Sequence, residues 1–408
     1  MEVTAKKNPI ITKRGVCDPH VHIFGDRAYL YASHDCDDGT ESGDYDHMDD
    51  WEIWSSADLV TWRRESVVSP ADTPIGKSHY CWAVDAAEKD GRYFLYVSNH
   101  VWETWVLVSD QPGKGFVPAR PDPILPKALT RTRSYDPAVF TDDDGKSYIV
   151  FGTPVWAGGD SYYIARLSDD LCSLAEPPKK LEVNDLADDK PFLHKHGGVY
   201  YLTWASFYAT ADDVCGPYTL RGNIGLTYDH GSFFEWNGQQ FMAFTVNESR
   251  GQPRRATGLA YIHYRENGEI VSDSLIREYG VGQYRADWNQ IDASWYMRGA
   301  RVQKKENVFG RFDAVVQDGG WIEFPFVRGM EANPDLKLHC KGMRESEITV
   351  YADGVCVGSV RVRDASKDDS TFACYREETL PLPLPAGDHS LRFAVKGLVH
   401  FSYFRLIT

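Results

Sequence analysis

None of the eight cysteines forms a C-x-x-C pair, so neither a zinc site nor a disulfide framework is read from them. Basic charge is also short. Against 59 Asp and Glu stand 44 Lys and Arg, a net charge of −15, and no basic stripe interleaved with aromatics offsets phosphate repulsion. A nucleic-acid partner is therefore excluded. No apolar run is long enough to span a membrane, and the opening MEVTAKKNPI lacks the apolar core of a signal peptide. The expectation is a cytoplasmic protein with no membrane partner. P-loop, G-x-S-x-G and H-E-x-x-H motifs are missing too, which removes phosphoryl transfer, serine hydrolysis and zincin chemistry.

What is abundant is aromatic. Phe, Trp and Tyr make up 13% of the chain, with 12 Trp and 23 Tyr. Flat rings suit the pleated faces of β-sheets and also sugar-binding clefts. A glycine turn followed by a strand-like aromatic run recurs five times: GDRAYLYAS (25–33), DGRYFLYVS (90–98), DGKSYIVFG (144–152), GGVYYLTWA (197–205) and NGQQFMAFT (237–245). Asp-Gly, Gly-Gly and Asn-Gly tolerate the positive φ of tight hairpins. The anchors Tyr29, Tyr93, Tyr148, Tyr200 and Phe241 lie 64, 55, 52 and 41 residues apart. Those are spacings of four-stranded blades with variable loops. Weaker segments, SSADLVTW (55–62), SDQPGKGF (109–116), SDDLCSL (168–174) and ADDVCGPYTL (211–220), fit the turn before an outer strand.

The reading is an all-β chain: a five-bladed β-propeller over residues 1–285, then a β-sandwich over 286–408. An array of similar sandwich strands is the alternative for the first part. At 408 residues two domains are expected, and from about residue 290 FDAVVQDGGWIEFPFV, SEITVYADGVCVGSVRV and AGDHSLRFAVKGLVHFSYFRLI alternate apolar and polar residues as about eight sandwich strands. The bridge YGVGQYRADWNQIDASWY (279–296) is a linker or the first interdomain packing segment.

Eleven or twelve residues before each anchor stand Asp18, Trp82, Asp136, Asp189 and His230. In a propeller the start of each innermost strand faces the central axis, so equal offsets put these side chains in one ring. Asp-Pro alone is a turn starter; its recurrence in CDPHV and SYDPAVF, at equivalent places, is what suggests a site. Two or three carboxylates around a pocket suit glycoside hydrolysis, one protonated to assist the leaving oxygen and another ionised to activate water. Their mutual repulsion pushes the pKa values apart. Trp82 would supply a platform for the sugar ring.

Taken together, CDPHVHIF…YLYASHD, SYDPAVFTDDDGKSYIVFG, KPFLHKHGGVYYLTWA, GPYTLRG and DHGSFFEWNG resemble the signature segments of family 43 glycoside hydrolases, from residue 8 to about 280. The resemblance implies a five-bladed propeller acting by inversion, mostly on arabinofuranosyl and xylosyl linkages, hence an oligosaccharide substrate and no organic cofactor. It implies that Asp18 is the general base and that Asp136 orients its partners, tunes the acid and contacts the sugar. It further implies that His230 faces a central ion, often calcium, held largely through waters. Arg254 or Arg255, in QPRRATG, would reach into the same pocket. The family places a glutamate general acid six residues before the lysine of the HK pair; counting back from Lys195 gives Asp189.

Asp is one methylene shorter, and a misplacement of about 1 Å costs on the order of a hundredfold in rate. Three readings stay open. Asp189 is a working acid on a shifted strand, with Asp188 as the other register. Alternatively, another group replaces it for an activated substrate, or the pocket binds sugar without turning it over, as a non-catalytic or weakly active carbohydrate-binding protein. An interaction platform is a further class and predicts no sugar binding. An oligomer is neither indicated nor excluded.

His20 and His22 form H-x-H on a strand and point to one face. That invites a metal reading, but no third ligand is placed. His20, beside Asp18, is grouped with Trp82, Arg254 and Arg255 as a candidate substrate contact or hydrogen-bonding neighbour. TDDDGK (141–146) reads as the third repeat's hairpin. The acidic stretch 34–50 reads as a solvated loop over the channel mouth whose His47 or Trp51 would shape access. The sequon NES (247–249) has no meaning in a chain outside the secretory pathway. GGWIEFPFV, ITVYADG and AGDHSLRFAVKG…FSYFRL resemble family 6 carbohydrate-binding modules, with Trp321 as a sugar platform or a buried sandwich tryptophan.

Overall fold

A computed structural model gives the architecture. It describes residues 1–12, 14–36, 47–153, 159–183, 189–247, 255–367 and 374–407. Arg254, Asp188, the last two sequon residues and most of the acidic stretch fall outside these. The chain divides into two compact units, one of residues 1–234, 242–260 and 268–280, the other of 235–241, 261–267 and 281–408.

Five antiparallel sheets follow one another as blades. Their innermost strands are Val16–Phe24, Cys81–Lys89, Ala138–Thr141, Phe192–His196 and Gly231–Trp236. Each is followed by the anchor strand and two outer strands; Glu2–Thr4 adds a fifth strand to the rim of blade one. The five repeats are the five blades. Its hairpin dipeptides do the expected work: Asp90-Gly91 (φ 54° and 75°), Gly197-Gly198 (58° and 82°) and Asn237-Gly238 (53° and 74°) all carry the paired positive φ of a type I′ turn. In TDDDGK, Gly145 N donates to Asp142 O at 2.9 Å, closing the third hairpin. The weaker segments are the turns before the outer strands, and side-chain oxygens cap them. Asp58 receives Val60 N, Asp170 receives Cys172 N and Asp213 receives Cys215 N, all at 2.8–2.9 Å.

Blades hold together through alternate side chains. Tyr31, Ile53, Val84, Leu95 and Leu107 form one buried cluster between blades one and two, and Phe94, Tyr96, Val139, Ile149 and Phe151 another between two and three. Each such side chain contributes roughly 1.5–3 kcal/mol by burial. The ring closes on the segment before blade one. Asn8 Nδ2 donates to Leu259 O, Ile276 O and Arg277 O at 2.9–3.2 Å, Asn8 Oδ1 receives Leu259 N at 2.9 Å, and Ile10 N donates to Thr257 O at 2.9 Å.

The second unit is a sandwich made from one folded-over sheet. Its longest strand, Phe312–Met330, serves both layers. Ala314–Val316 pairs with Val399–Phe401, and Trp321–Phe324 pairs with Leu391–Ala394. Gly319, at φ 73°, lies between the two stretches. The bridge is no free linker: Tyr284–Arg285 and Ile291–Asp292 pair with sandwich strands. Within this unit Gln239 Nε2 donates to Ser294 O at 2.9 Å and to Tyr296 O at 2.8 Å. Trp321 is half-buried, and one face of its ring carries the Arg392 guanidinium at 3.9 Å. All eight cysteines are free, and among the described residues no helix is long and apolar enough to cross a membrane.

Candidate active site

The five offset residues stand at the same end of the five innermost strands, within them or up to three positions ahead. Asp18 and Asp136 have φ of 49° and 51°, left-handed values uncommon for any residue but glycine and best tolerated by Asp and Asn. Each amide is received by a hydroxyl of an anchor strand: Asp18 N donates to Thr245 Oγ1 at 3.0 Å, Asp136 N to Ser98 Oγ at 3.1 Å. This sharp entry aims both carboxylates inward. In blade four the equivalent left-handed residue before proline is Lys190, φ 67°, and Asp189 stands one position earlier.

Asp18, Asp136 and His230 are buried and in contact. His230 Nδ1 lies 3.0 Å from Asp18 Oδ1, and its Nε2 lies 3.6 Å from Asp136 Oδ2. Arg255 Nη1 donates to the same Asp18 Oδ1 at 2.6 Å and to Asp229 Oδ2 at 3.3 Å, while its Nη2 and Nε hold Asp35 at 3.0 and 3.1 Å. Asp229 Oδ1 is 3.1 Å from His230 Nδ1. Gly15 makes this approach possible. At φ 73°, a Cβ there would come within 2.1 Å of Asp35 O.

The electrostatics divide the carboxylates. Burial alone raises Asp18, but Arg255 and His230 outweigh it and hold it below the ordinary carboxylate value. Burial raises Asp136, and His230 only partly offsets this. His230 is penalised by burial yet lifted well above its ordinary value by Asp18 and Asp136. Asp18 is thus the ionised member and Asp136 the reluctant one. Both cations grip Oδ1 of Asp18, while among the described residues Oδ2 meets the Cys17 thiol alone, at 3.9 Å.

Asp189 is described by its neighbours. Tyr135 OH donates to its Oδ2 at 2.6 Å, and the Lys190 ammonium pairs with its Oδ1. The ring of Tyr135 is 5.8 Å from that of Trp82, which is partly exposed.

Two expectations, on His20 and Trp51, need correction. His20 is not a substrate contact: it is buried, with Nδ1 2.9 Å from Asp85 Oδ1, and His22 Nε2 reaches the same oxygen at 2.6 Å. The H-x-H pair does share a face, but it serves a buried aspartate, which also receives Val139 N at 2.6 Å. Arg255 reaches into the pocket at Asp18, and its guanidinium is also held by Asp35 and Asp229. Trp51 does not shape access: it is 1% exposed, and its Nε1 donates to Trp82 O at 2.7 Å. Asp35, Asp229, Tyr135 and Asp85 were missed. Asp229 and Tyr135 adjoin His230 and Asp136, so the motifs themselves held the signal.

Two groups among the described residues bring three potential metal ligands together: Asp18, Asp229, His230, and His34, Asp50, Glu52. Arg255 already answers the carboxylates of the first, and Arg14 and Arg64 that of Glu52 in the second. Calcium seeks six to eight oxygen ligands, and neither group offers them.

Buried carboxylates of split affinity at the channel end of a five-bladed propeller define the class of a glycoside hydrolase. The chain belongs to family 43 of the glycosyl hydrolases, whose model matches residues 6–270. A xylosidase/arabinosidase of Bacteroides ovatus is 30% identical over 63% of this chain and 94% of its own length. An arabinoxylan arabinofuranohydrolase of Bacillus subtilis is 26% identical over 98% of this chain and 92% of its own. Among solved structures, a β-xylosidase/α-arabinofuranosidase from a compost metagenome, in complex with xylotriose and calcium-free, matches 66% of this chain and 98% of its own with a TM-score of 0.58 and 28% identity. The Bacillus subtilis arabinofuranohydrolase with cellotetraose matches 98% and 97% with a TM-score of 0.59, sharing the fold at 20% identity.

Proposed function

We propose that the chain is an inverting exo-glycosidase that releases terminal α-L-arabinofuranosyl or β-D-xylosyl units from plant-type oligosaccharides. The observation that carries this is Asp18: buried, held ionised, and gripped through one oxygen so that the other is left for a water. In the reaction Asp18 Oδ2 takes a proton from that water as its oxygen bonds to the anomeric carbon. The glycosidic C–O bond breaks, and Asp189 gives its proton to the leaving oxygen. Asp136 contacts the sugar and poises the pair, and Trp82, beside Tyr135, carries the apolar face of the first sugar beyond the leaving oxygen. The names of the relatives support the sugar types, and the oligosaccharides bound by the structural neighbours support the substrate class.

One observation favours the second reading, a sugar binder with little or no turnover. Both Asp189 oxygens are engaged, one by a cation, which suits a carboxylate better than a proton donor. Hydrolysis of nitrophenyl α-L-arabinofuranoside, nitrophenyl β-D-xyloside and a natural arabino-oligosaccharide by wild type, Asp189→Glu and Asp189→Ala decides. Turnover that collapses in Asp189→Ala, with inverted product seen by NMR, makes Asp189 the acid. A silent wild type that gains activity in Asp189→Glu makes the protein a binder.

A calcium ion at the propeller centre would face His230 through waters, because Asp18 and Asp229 beside it are answered by Arg255 and supply no direct cage. No step of the reaction above passes through it. Melting temperature with calcium and with chelator tests the site. The sandwich is proposed as a carbohydrate-binding module.

A further inference from the structure

Aromatic rings run outward from Asp189 along blade two. Tyr135, hydrogen-bonded to Asp189, is followed by Trp82, whose ring lies 4.4 Å from His100. His100 is 4.5 Å from Trp102 and 4.7 Å from Tyr80, and Tyr80 and Trp102 meet at 5.6 Å. The strand Arg92–Asn99 returns to the site end, where Asn99 pairs with Cys81 and Ser98 with Trp82. The turn that follows, carrying His100 and Trp102, therefore stands at the channel mouth. His100 sits there at φ 54°, a left-handed value costing about 1–3 kcal/mol for such a residue. Trp102 ends the series 38% exposed, a large apolar face presented to solvent. Beside it Ser78 Oγ donates to Asn99 Oδ1 at 2.9 Å and Asn99 Nδ2 to Glu103 Oε1 at 3.2 Å, a polar border for hydroxyls.

The direction matters. A general acid protonates the leaving oxygen, so the part of the substrate beyond that oxygen extends past Asp189, and the rings lead away from Asp189 to open solvent. We propose that Tyr80, His100 and Trp102 form a leaving-group subsite for the second sugar beyond the scissile bond, with Trp102 as its platform. The preferred substrate is then an oligosaccharide of at least three units rather than a disaccharide or an aryl glycoside. This rests on the exo-glycosidase reading and on Asp189 as its acid.

The test is the ratio of kcat/KM on a trisaccharide to that on the matching disaccharide, in the xylose and arabinofuranose series. A stacked ring is worth about a factor of ten, so the wild-type ratio is expected near ten, falling towards one in Trp102→Ala and largely retained in Trp102→Phe. A merely structural role lowers both rates together and keeps the ratio, which would overturn the subsite. So would a wild-type ratio of one. If the wild type hydrolyses nothing, the exo-glycosidase reading fails by itself, and calorimetric titration with xylotriose and arabinotriose takes over. An affinity about tenfold weaker in Trp102→Ala upholds the subsite, and an unchanged or absent affinity removes it.

Discussion

The propeller and the sandwich bury different things. At the propeller's axis the chain buries Asp18, Asp85, Asp136, His20, His230 and Arg255. The sandwich interior is Ile322, Phe324, Leu338, Ile348, Val350, Leu391, Phe393, Phe401 and Phe404, all fully buried, and four of its phenylalanines meet ring to ring at 4.9–6.4 Å. Among its described residues the buried carboxylate is Asp313, satisfied by Tyr375 and by Asn307 at 2.7 Å. The strands alternate in both. What differs is where they begin: sandwich strands start at an edge, whereas five propeller strands start around one axis, and left-handed entries there turn carboxylates towards each other. Architecture, more than composition, separates a site from a core.

That contrast can be broken by substitution. Asp18→Asn is expected to cut turnover by on the order of 10²–10⁴ and to lower the melting temperature as well, because Arg255 and His230 lose the charge between them; activity lost only in proportion to the protein unfolded would make the axis structural after all. Asp85→Ala leaves His20 and His22 without their carboxylate and is expected to cost about 3–5 kcal/mol in denaturant unfolding. Phe393→Ala, an apolar deletion in the sandwich, is expected to cost a similar 3–5 kcal/mol by a different cause, the cavity left behind. If Asp85→Ala costs far less, the buried charge is better solvated than its position indicates.

Acid and alkali sharpen the same contrast. Burial works against Asp85, but His20 and His22 hold it well below its ordinary value. Its contribution is complete above the unfolded value of about 4 and is lost as pH falls through the lower folded value. His34, despite burial, is raised to about 10 by Asp50 and its neighbours. Its contribution is complete below about 6.5 and is lost as pH rises towards the folded value. Melting temperature should therefore fall on both sides, and His34→Gln should remove part of the alkaline fall. The smallest effect expected is a few-fold rise in kcat for Lys190→Gly, which frees one oxygen of Asp189 and relieves a left-handed residue of about 1–2 kcal/mol. No rise would strengthen the reading of the chain as a sugar binder.

The sequence carried the blades because a hairpin dipeptide and an aromatic run are local facts, and Asp18, Asp136 and His230 could be found by counting from them. Partners could not be counted. Asp35 meets Arg255 across 220 residues, and His20 turns to Asp85 because two blades pack, which no spacing within one blade reveals. Lys190 shows a finer loss. The proline of blade four marks the left-handed position, and that register places the lysine, not Asp189, opposite Asp18 and Asp136.

The segment around Asn8 and Ile10 has a consequence for synthesis. It lies between the first blade and residues 257–278, nearly the last part of the propeller to be made. On the ribosome those early residues wait for partners some 250 positions behind them, as Asn8 and Leu259 do. The innermost strand bearing Asp18 cannot be locked against Thr257 sooner. Catalytic competence therefore arrives late in translation, all at once, when the circle is completed.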